Sequence, residues 1–338
     1  MPDIHTQYQQ MIRPSAELIE ELRNLDGDIL LLGAGGKMGP SLAKLAKQAC
    51  KAAGTKKRVI AVSRFSDGGL ENTLNLDGIE TIAADLLDDN QLQTLPSIKN
   101  VLYLAGTKFG TTGRESFTWA MNTYLPGRVA EKFRDSRIVV FSTGNVYPLT
   151  AVKSGGATET TQPQPLGEYA QSCLGRERMF QYFSALYQTP LFIYRLNYAN
   201  DVAYGVLMDI AKAVFEQRPV DLRMGYVNVI WQGDANELAL RALAHCAVPA
   251  RIVNVTGSQT TAVRWLASQF AQAMGKQPIF QNTEMETALL SNAHASVQLF
   301  GEPRTSLAQM IQIISAWVME GGATINKPTH FQEREGQF

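Results

Sequence analysis

Three cysteines and four histidines are few for a chain of 338 residues. Cys50, Cys173 and Cys246 are odd in number, far apart and without a C-x-x-C pair, which argues against a disulfide framework and a cysteine zinc site and fits a reducing, cytoplasmic compartment. His5, His245, His294 and His330 stand isolated, so no metal site is expected. Excess charge is lacking too. The 31 Lys+Arg balance the 31 Asp+Glu, and the longest basic run near the strands is Lys56-Lys57-Arg58, which argues against nucleic acid as a partner. No apolar run in the first 25 residues has the length of a signal peptide, and none anywhere approaches a transmembrane span, so no membrane partner is expected.

What is present is globular: 45 % apolar and 18 % charged residues. From residue 28 onward, short aliphatic runs alternate with longer segments of helical period. Asp28–Leu32, Arg58–Ser63, Ile79–Ala83, Val101–Ala105, Ile138–Ser142 and Leu191–Leu196 read as strands covered on both faces. Met38, Leu42, Leu45, Ala46 and Ala49 form the apolar stripe of the first helix between them. Two unusually aromatic helical segments follow, Glu115–Phe133 and Glu168–Tyr187. Further on, helices are expected near 204–217, 234–246, 261–274 and 305–320, with short strands near 226–230 and 251–255. The fold class is therefore α/β: a doubly wound parallel sheet of Rossmann type over residues 1–200 and a smaller C-terminal α/β substrate-binding part over 201–338. The Ser-, Gly-, Thr- and Pro-rich stretch Ala151–Gly167 is too long for an ordinary connection and reads as a functional loop.

The first strand runs into Gly33-Ala34-Gly35-Gly36-Lys37-Met38-Gly39, and a helix follows at once. In that context Gly33 permits the tight turn, Gly36 lets the backbone approach a pyrophosphate, and Gly39 lets helix pack on strand. The phosphates would lie at the helix N-terminus, against free N–H groups. Where a fold preferring NAD usually presents an acidic residue to the ribose, the second strand presents Arg64, which with Lys37 could clamp a 2′-phosphate. That pattern favours NADP over NAD. Thr107 and Lys108 belong to the loop Gly106–Gly113 at the carboxyl edge of the fourth strand, a candidate substrate pocket that also contains Phe109, Thr111 and Thr112.

These residues carry a resemblance. The chain is similar to the extended short-chain dehydrogenase/reductases, the NAD-dependent epimerase/dehydratase-like family, over nearly its whole length. Besides Gly33-x-x-Gly36-x-x-Gly39, the match includes Asp85-Leu86, Leu104-Ala105-Gly106, Asn122 and Val140-Phe141-Ser142-Thr143-Gly144-Asn145-Val146-Tyr147. Val229–Asp234, Val253–Gly257 and Leu299–Pro303 resemble its C-terminal segments. The resemblance implies that Asp85 and Leu86 lie against the adenine, that Ala105 and Gly106 border the cofactor, that Thr143 binds the reacting oxygen, and that Tyr169 is the acid/base. It also implies a homodimer through the aromatic helices. Asn145, and Asn197 and Tyr198 in Arg195-Leu196-Asn197-Tyr198, fall where the family meets its substrate.

One element of the pattern is replaced. The family's Tyr-x-x-x-Lys reads Tyr169-Ala170-Gln171-Ser172-Cys173, with Glu177 following in its expected place. The lysine, one turn from the tyrosine, normally holds the nicotinamide ribose and lowers the phenol's pKa. At an unperturbed pKa of ~10, only about one tyrosine in a thousand is phenolate at pH 7. Oxidising an alcohol needs the phenolate as base, whereas reducing a carbonyl needs the neutral phenol as acid. The expectation from sequence is therefore an NAD(P)-dependent oxidoreductase favouring reduction. Its alternatives are a nucleotide-sugar epimerase or dehydratase, and a non-catalytic NADP-binding regulatory protein. Lys108, Arg114, Lys153 and Arg176 are the replacement cations the sequence offers.

Overall fold

A strand apolar at every position must be covered on both faces, because its side chains alternate between them. The computed structural model, which describes residues 3–66, 68–108, 110, 113–325 and 329–337, shows this in β1 (Ile29–Leu32). Ile29 and Leu31 pack with Leu42 and Ala46 on one side, while Leu30 and Leu32 pack with Val129 and Phe180 on the other. The remaining strands of the central sheet are β2 (Val59–Ser63), β3 (Glu80–Ala83), β4 (Asn100–Tyr103), β5 (Arg137–Thr143), β6 (Leu191–Leu196) and β7 (Arg251–Val255). All seven run parallel, in the order β7-β6-β5-β4-β1-β2-β3. This is a Rossmann-type α/β fold. The strand order reverses between β1 and β4, where connections leave toward opposite faces and open a crevice at the carboxyl ends.

The helices needed below are α1 (Ile4–Met11), α2 (Ala16–Asn24), α3 (Gly39–Ala52), α4 (Leu125–Lys132), α5 (Gly167–Tyr187), α6 (Val206–Phe215), α7 (Gln232–Arg241), α8 (Val263–Met274) and α9 (Leu307–Met319). Helices α2, α3 and α7 cover one face of the sheet, and α4 and α5 the other. Helices α6, α8 and α9 enclose a separate apolar cluster around Trp231 and Phe270. The two N-terminal helices have no counterpart in the sequence reading. Ser15 caps α2 by accepting from the Leu18 N–H, and Leu18 and Leu22 are buried against the sheet cluster.

Two segments depart from the expected elements. Glu115–Phe133 is not one α-helix: Glu115–Trp119 passes into a π-helical turn, Ala120–Tyr124, before α4. The wider turn carries Asn122 fully inside, where its amide bridges the Thr107 backbone, Ser172 and Arg176. The run 226–230 divides into two short pairings, Tyr226–Val227 with Thr261–Ala262 and Ile230–Trp231 with Ala199–Asn200. The loop Ala151–Gly167 is pinned to the C-terminal part, since Thr150–Ala151 pairs with Thr287–Ala288 and the Ala157 N–H donates to Leu290 O. Among the described residues, no helix is long and apolar enough to cross a membrane.

Candidate active site

The crevice at the switch point is a continuous cleft of about 740 Å³. Its floor is the end of β1. Gly33 has φ +90°, and a Cβ there would lie 2.5 Å from the Ala105 backbone nitrogen, so only glycine lets β1 and β4 end side by side. A Cβ at Gly39 would come within 2.3 Å of Ala34 O, so the third glycine lets the start of α3 pack against the turn that follows β1. Gly36 is different. The nearest atom to its absent Cβ is Gly33 O at 3.5 Å, so the backbone faces open space into which an anion fits. Helix α3 begins beyond it without a side-chain cap, leaving first-turn N–H groups for that anion. This cradle fits the pyrophosphate of a dinucleotide.

Gly33, Gly36, Lys37, Met38, Gly39, Arg64, Asp85, Leu86, Ala105 and Gly106 all line the cleft, together with Thr107, Lys108, Thr143, Asn145, Tyr169, Asn197 and Tyr198. Arg64 is exposed at the end of β2. Lys37 turns the other way, its ammonium 3.3 Å from the ring centre of Tyr204. The proposed clamp of two cations is thus not assembled. Phe109, Thr111 and Thr112 lie outside the described residues.

At the opposite end of the cleft, β5 delivers Thr143 and the first turn of α5 delivers Tyr169. The Thr143 hydroxyl donates to Asn145 Oδ1 at 3.0 Å and accepts from the Asn145 N–H at 3.2 Å, which fixes its rotamer. Burial pushes the Tyr169 phenol well above its ordinary value; Cys173 adds to the rise, and Arg176 and Thr143 oppose it. Cys173 does not line the cleft. It is fully buried behind Tyr169 with Val146, Tyr147 and Ala157, and burial pushes its thiol up, as suits an apolar filler rather than a nucleophile.

Of the four replacement cations, Arg114 and Lys153 are exposed and off the cleft, whereas Lys108 and Arg176 line it. The Lys108 ammonium lies 5.7 Å from the Tyr169 ring centre, and burial lowers its pKa to about 8. Arg176 donates from Nη1 to Phe141 O and from Nη2 to Asn122 Oδ1, both at 2.8 Å. Arg195 is not available to a ligand. Its guanidinium clasps the Glu177 carboxylate through Nη2 at 2.6 Å and Nε at 2.9 Å and donates to Tyr147 Oη, all buried.

Tyr204, Gln232 and Thr329 also line the cleft and were not singled out in the sequence. They arrive from three separate segments, and no spacing connects them to the glycine loop.

The family model described as the NAD dependent epimerase/dehydratase family matches residues 29–205, just over half the chain. The chain belongs to that family. The same model covers the glycine cradle, Thr143 and Tyr169. No match was found among curated proteins compared by sequence. Solved structures with the same fold include UDP-glucuronic acid 4-epimerase from Bacillus cereus in complex with NAD, at TM-score 0.72 and 17 % identity over 87 % of this chain and 99 % of that one. MoeE5 in complex with UDP-glucose and NAD gives TM-score 0.71 and 19 % identity over 87 % and 99 % of the two chains. UDP-glucose 4-epimerase from Thermus thermophilus, in complex with NAD, gives 0.69 and 19 % over 86 % and 98 %. These findings overturn the preference for NADP read from Arg64 and Lys37: the matched family is described as NAD dependent, and these structures hold NAD. In the structure Lys37 rests on the Tyr204 ring, so Arg64 lacks the second cation the expected clamp requires.

Proposed function

We propose that this protein is an NAD-dependent epimerase or dehydratase of a sugar nucleotide, in which the cofactor is reduced and reoxidised within one turnover. The observation that carries the reading is the single cleft, with the phosphate cradle of Gly33–Gly39 at one end and Thr143 with Tyr169 at the other. The family supports this alternative over the net reduction expected from sequence. The cofactor-binding half is the region up to about residue 200, completed by β7, and the substrate half is the rest of the C-terminal part. A homodimer through the exposed Tyr124, Tyr182 and Leu186 belongs to the same proposal.

What NAD supplies when bound is a reversible two-electron oxidation of a carbinol carbon. The chain's own residues do the rest. Gly36 and the start of α3 hold the pyrophosphate, and Asp85 and Leu86 border the adenosine. Thr143, its hydroxyl set by Asn145, orients the carbinol oxygen. Tyr169 takes the proton from that oxygen as phenolate and returns it as phenol. Lys108 and Arg176 supply positive charge near the phenol, where Cys173 leaves none.

The test begins with denaturing the purified protein and identifying the dinucleotide released, then offering UDP-glucose or UDP-glucuronic acid and following products by NMR. Conversion without NADH accumulation is expected. NADH rising in step with product would make it a simple dehydrogenase. No turnover of any sugar nucleotide, with Tyr169→Phe indistinguishable from the parent, would favour the non-catalytic reading.

A further inference from the structure

Tyr169, Cys173 and Arg176 are spaced i, i+4 and i+7 and so share one face of α5. A long side chain on a helix leans toward the N-terminus, so Arg176 reaches back over the turn that contains Cys173. Its guanidinium is held there by a carbonyl of β5, Phe141 O, two residues before Thr143, and by Asn122 of the π-helical turn. Space for it comes from Gly106, since a Cβ at that position would lie 2.3 Å from Nη2. The glycine of Leu104-Ala105-Gly106 therefore serves the arginine as well as the cofactor. Both hydrogen bonds go to neutral oxygens, and among the described residues nothing pairs with the buried Nε. The adjacent carboxylate, Glu177, does not cancel the charge, because Arg195 and the Ser142 hydroxyl occupy it.

We propose that Arg176 is the cation that replaces the missing lysine: a positioning residue that acts through Tyr169 by stabilising the phenolate. The inference rests on the proposed function for its catalytic meaning, but not for its electrostatics. Among the described residues, the groups facing Tyr169 include Cys173 and Arg176 from α5, Thr143 from β5 and Lys108 from the loop after β4. Those facing Arg176 are Cys173 and Glu177 from α5, Tyr103 from β4 at 5.8 Å to the ring centre, and Tyr169. Lys108 is the rival cation. It loses its charge as pH rises through about 8, the direction in which phenolate forms, while a guanidinium keeps its charge throughout. With Cys173 where the resemblance expects a lysine, Arg176 thus leaves the phenol one permanent positive charge on the same helix face.

The test reads the phenol directly. Difluorotyrosine incorporated at position 169 brings the titration into an accessible pH range, followed by absorbance. It is compared in the parent, Arg176→Gln, Lys108→Met and the double variant Arg176→Gln with Cys173→Lys. Arg176→Gln is expected to raise the phenol's pKa by about one pH unit or more, and the added lysine to bring it back. With natural tyrosine, sugar-nucleotide turnover at pH 7 should fall about tenfold in Arg176→Gln and recover in the double variant. A purely structural arginine would not be rescued by a lysine elsewhere on the helix. An unmoved phenol in Arg176→Gln, or a phenol moved only by Lys108→Met, overturns the proposal. Should Arg176→Gln not fold, Gly106→Ala displaces the same guanidinium; a raised phenol pKa supports the assignment and an unmoved one defeats it. A shifted phenol with no sugar nucleotide turned over by any variant would leave this inference standing and remove the proposed function.

Discussion

The two ends of the cleft are built in different ways. The proposed cofactor end comes from Gly33–Gly39, Arg64, Asp85–Leu86 and Ala105–Gly106, successive strand ends set side by side by parallel register, Leu32 beside Val62 and Tyr103. The proposed substrate end is more mixed: Asn145 and Asn197–Tyr198 follow β5 and β6, which pair with Thr143 beside Leu196, whereas Tyr169, Tyr204 and Thr329 come from separate segments. Parallel pairing forces the first set together. In the second set, tertiary packing rather than pairing brings in Tyr169, Tyr204 and Thr329. Changes at the cofactor end should therefore act through backbone and binding, and changes at the substrate end through chemistry.

Tyr169→Phe gives the sharpest form of this contrast. Turnover should fall by about 10²–10⁴-fold, the usual worth of a general acid/base, while NAD affinity by calorimetry stays within about threefold. Loss of both together would show that the two ends are not separable. The pH dependence of the parent follows from burial of the phenol. Because its pKa is raised, the phenolate fraction grows with pH across the accessible range, so the oxidation step should climb continuously from pH 6 upward.

Glu177→Ala tests what joins the two ends. The buried carboxylate receives Arg195 twice and the Ser142 hydroxyl at 2.5 Å, and Ser142 precedes Thr143 in the cleft. Removing one partner strands the other charge, which costs roughly 3–5 kcal/mol. Denaturant unfolding should show that loss, and an unchanged midpoint would mean that water reaches Arg195.

How much of this was legible in sequence follows the same division. The first six strands and the glycine cradle were readable as local patterns tied to strand ends, whereas Thr143 and Tyr169 were singled out by the resemblance to the family. The π-helical turn at Ala120–Tyr124 was not, since what accompanies it is the buried Asn122 bonding to Thr107, Ser172 and Arg176, partners distant in the chain. Nor could sequence choose among four cations. Arg176 differs from Arg114 and Lys153 in being buried at the cleft, and the room for it depends on Gly106, seventy residues earlier in the chain.

Lys108 offers a chemical probe of the same boundary. With a pKa of about 8 it is half neutral at pH 8, whereas an ordinary lysine near ~10.4 is about one part in 250 neutral. An amine-directed acylating reagent at limiting concentration should label Lys108 first, increasingly so from pH 7 to 9, and peptide mass spectrometry reads it. Labelling no faster than that of surface lysines would place the ammonium in water. A smaller effect is expected at the outer aromatic face, where Tyr182 is 61 % and Leu186 54 % exposed. Tyr182→Glu should raise the dimer dissociation constant about tenfold or more by sedimentation, without touching the cleft. A parent that is monomeric at micromolar concentration ends that part of the proposal.

The smallest effect should be at Arg64, although the sequence sets it where a 2′-phosphate would be clamped. The side chain is exposed at the end of β2, and the cation that would have to join it, Lys37, rests on Tyr204. With NAD the ribose offers a hydroxyl rather than a phosphate, so the guanidinium has no charge to meet, and solvent screens what remains. Arg64→Ala should change NAD affinity by no more than about 0.5 kcal/mol, roughly twofold. Lys37→Ala should act differently, because it unties the glycine loop from Tyr204 and hence the cofactor end from the C-terminal part; a larger NAD defect than Arg64→Ala produces is the expected order. If calorimetry instead shows Arg64→Ala losing tenfold or more in NAD affinity while Lys37→Ala is neutral, the adenosine end is held by a charge at the rim, and the cradle of Gly36 and α3 is not the principal anchor.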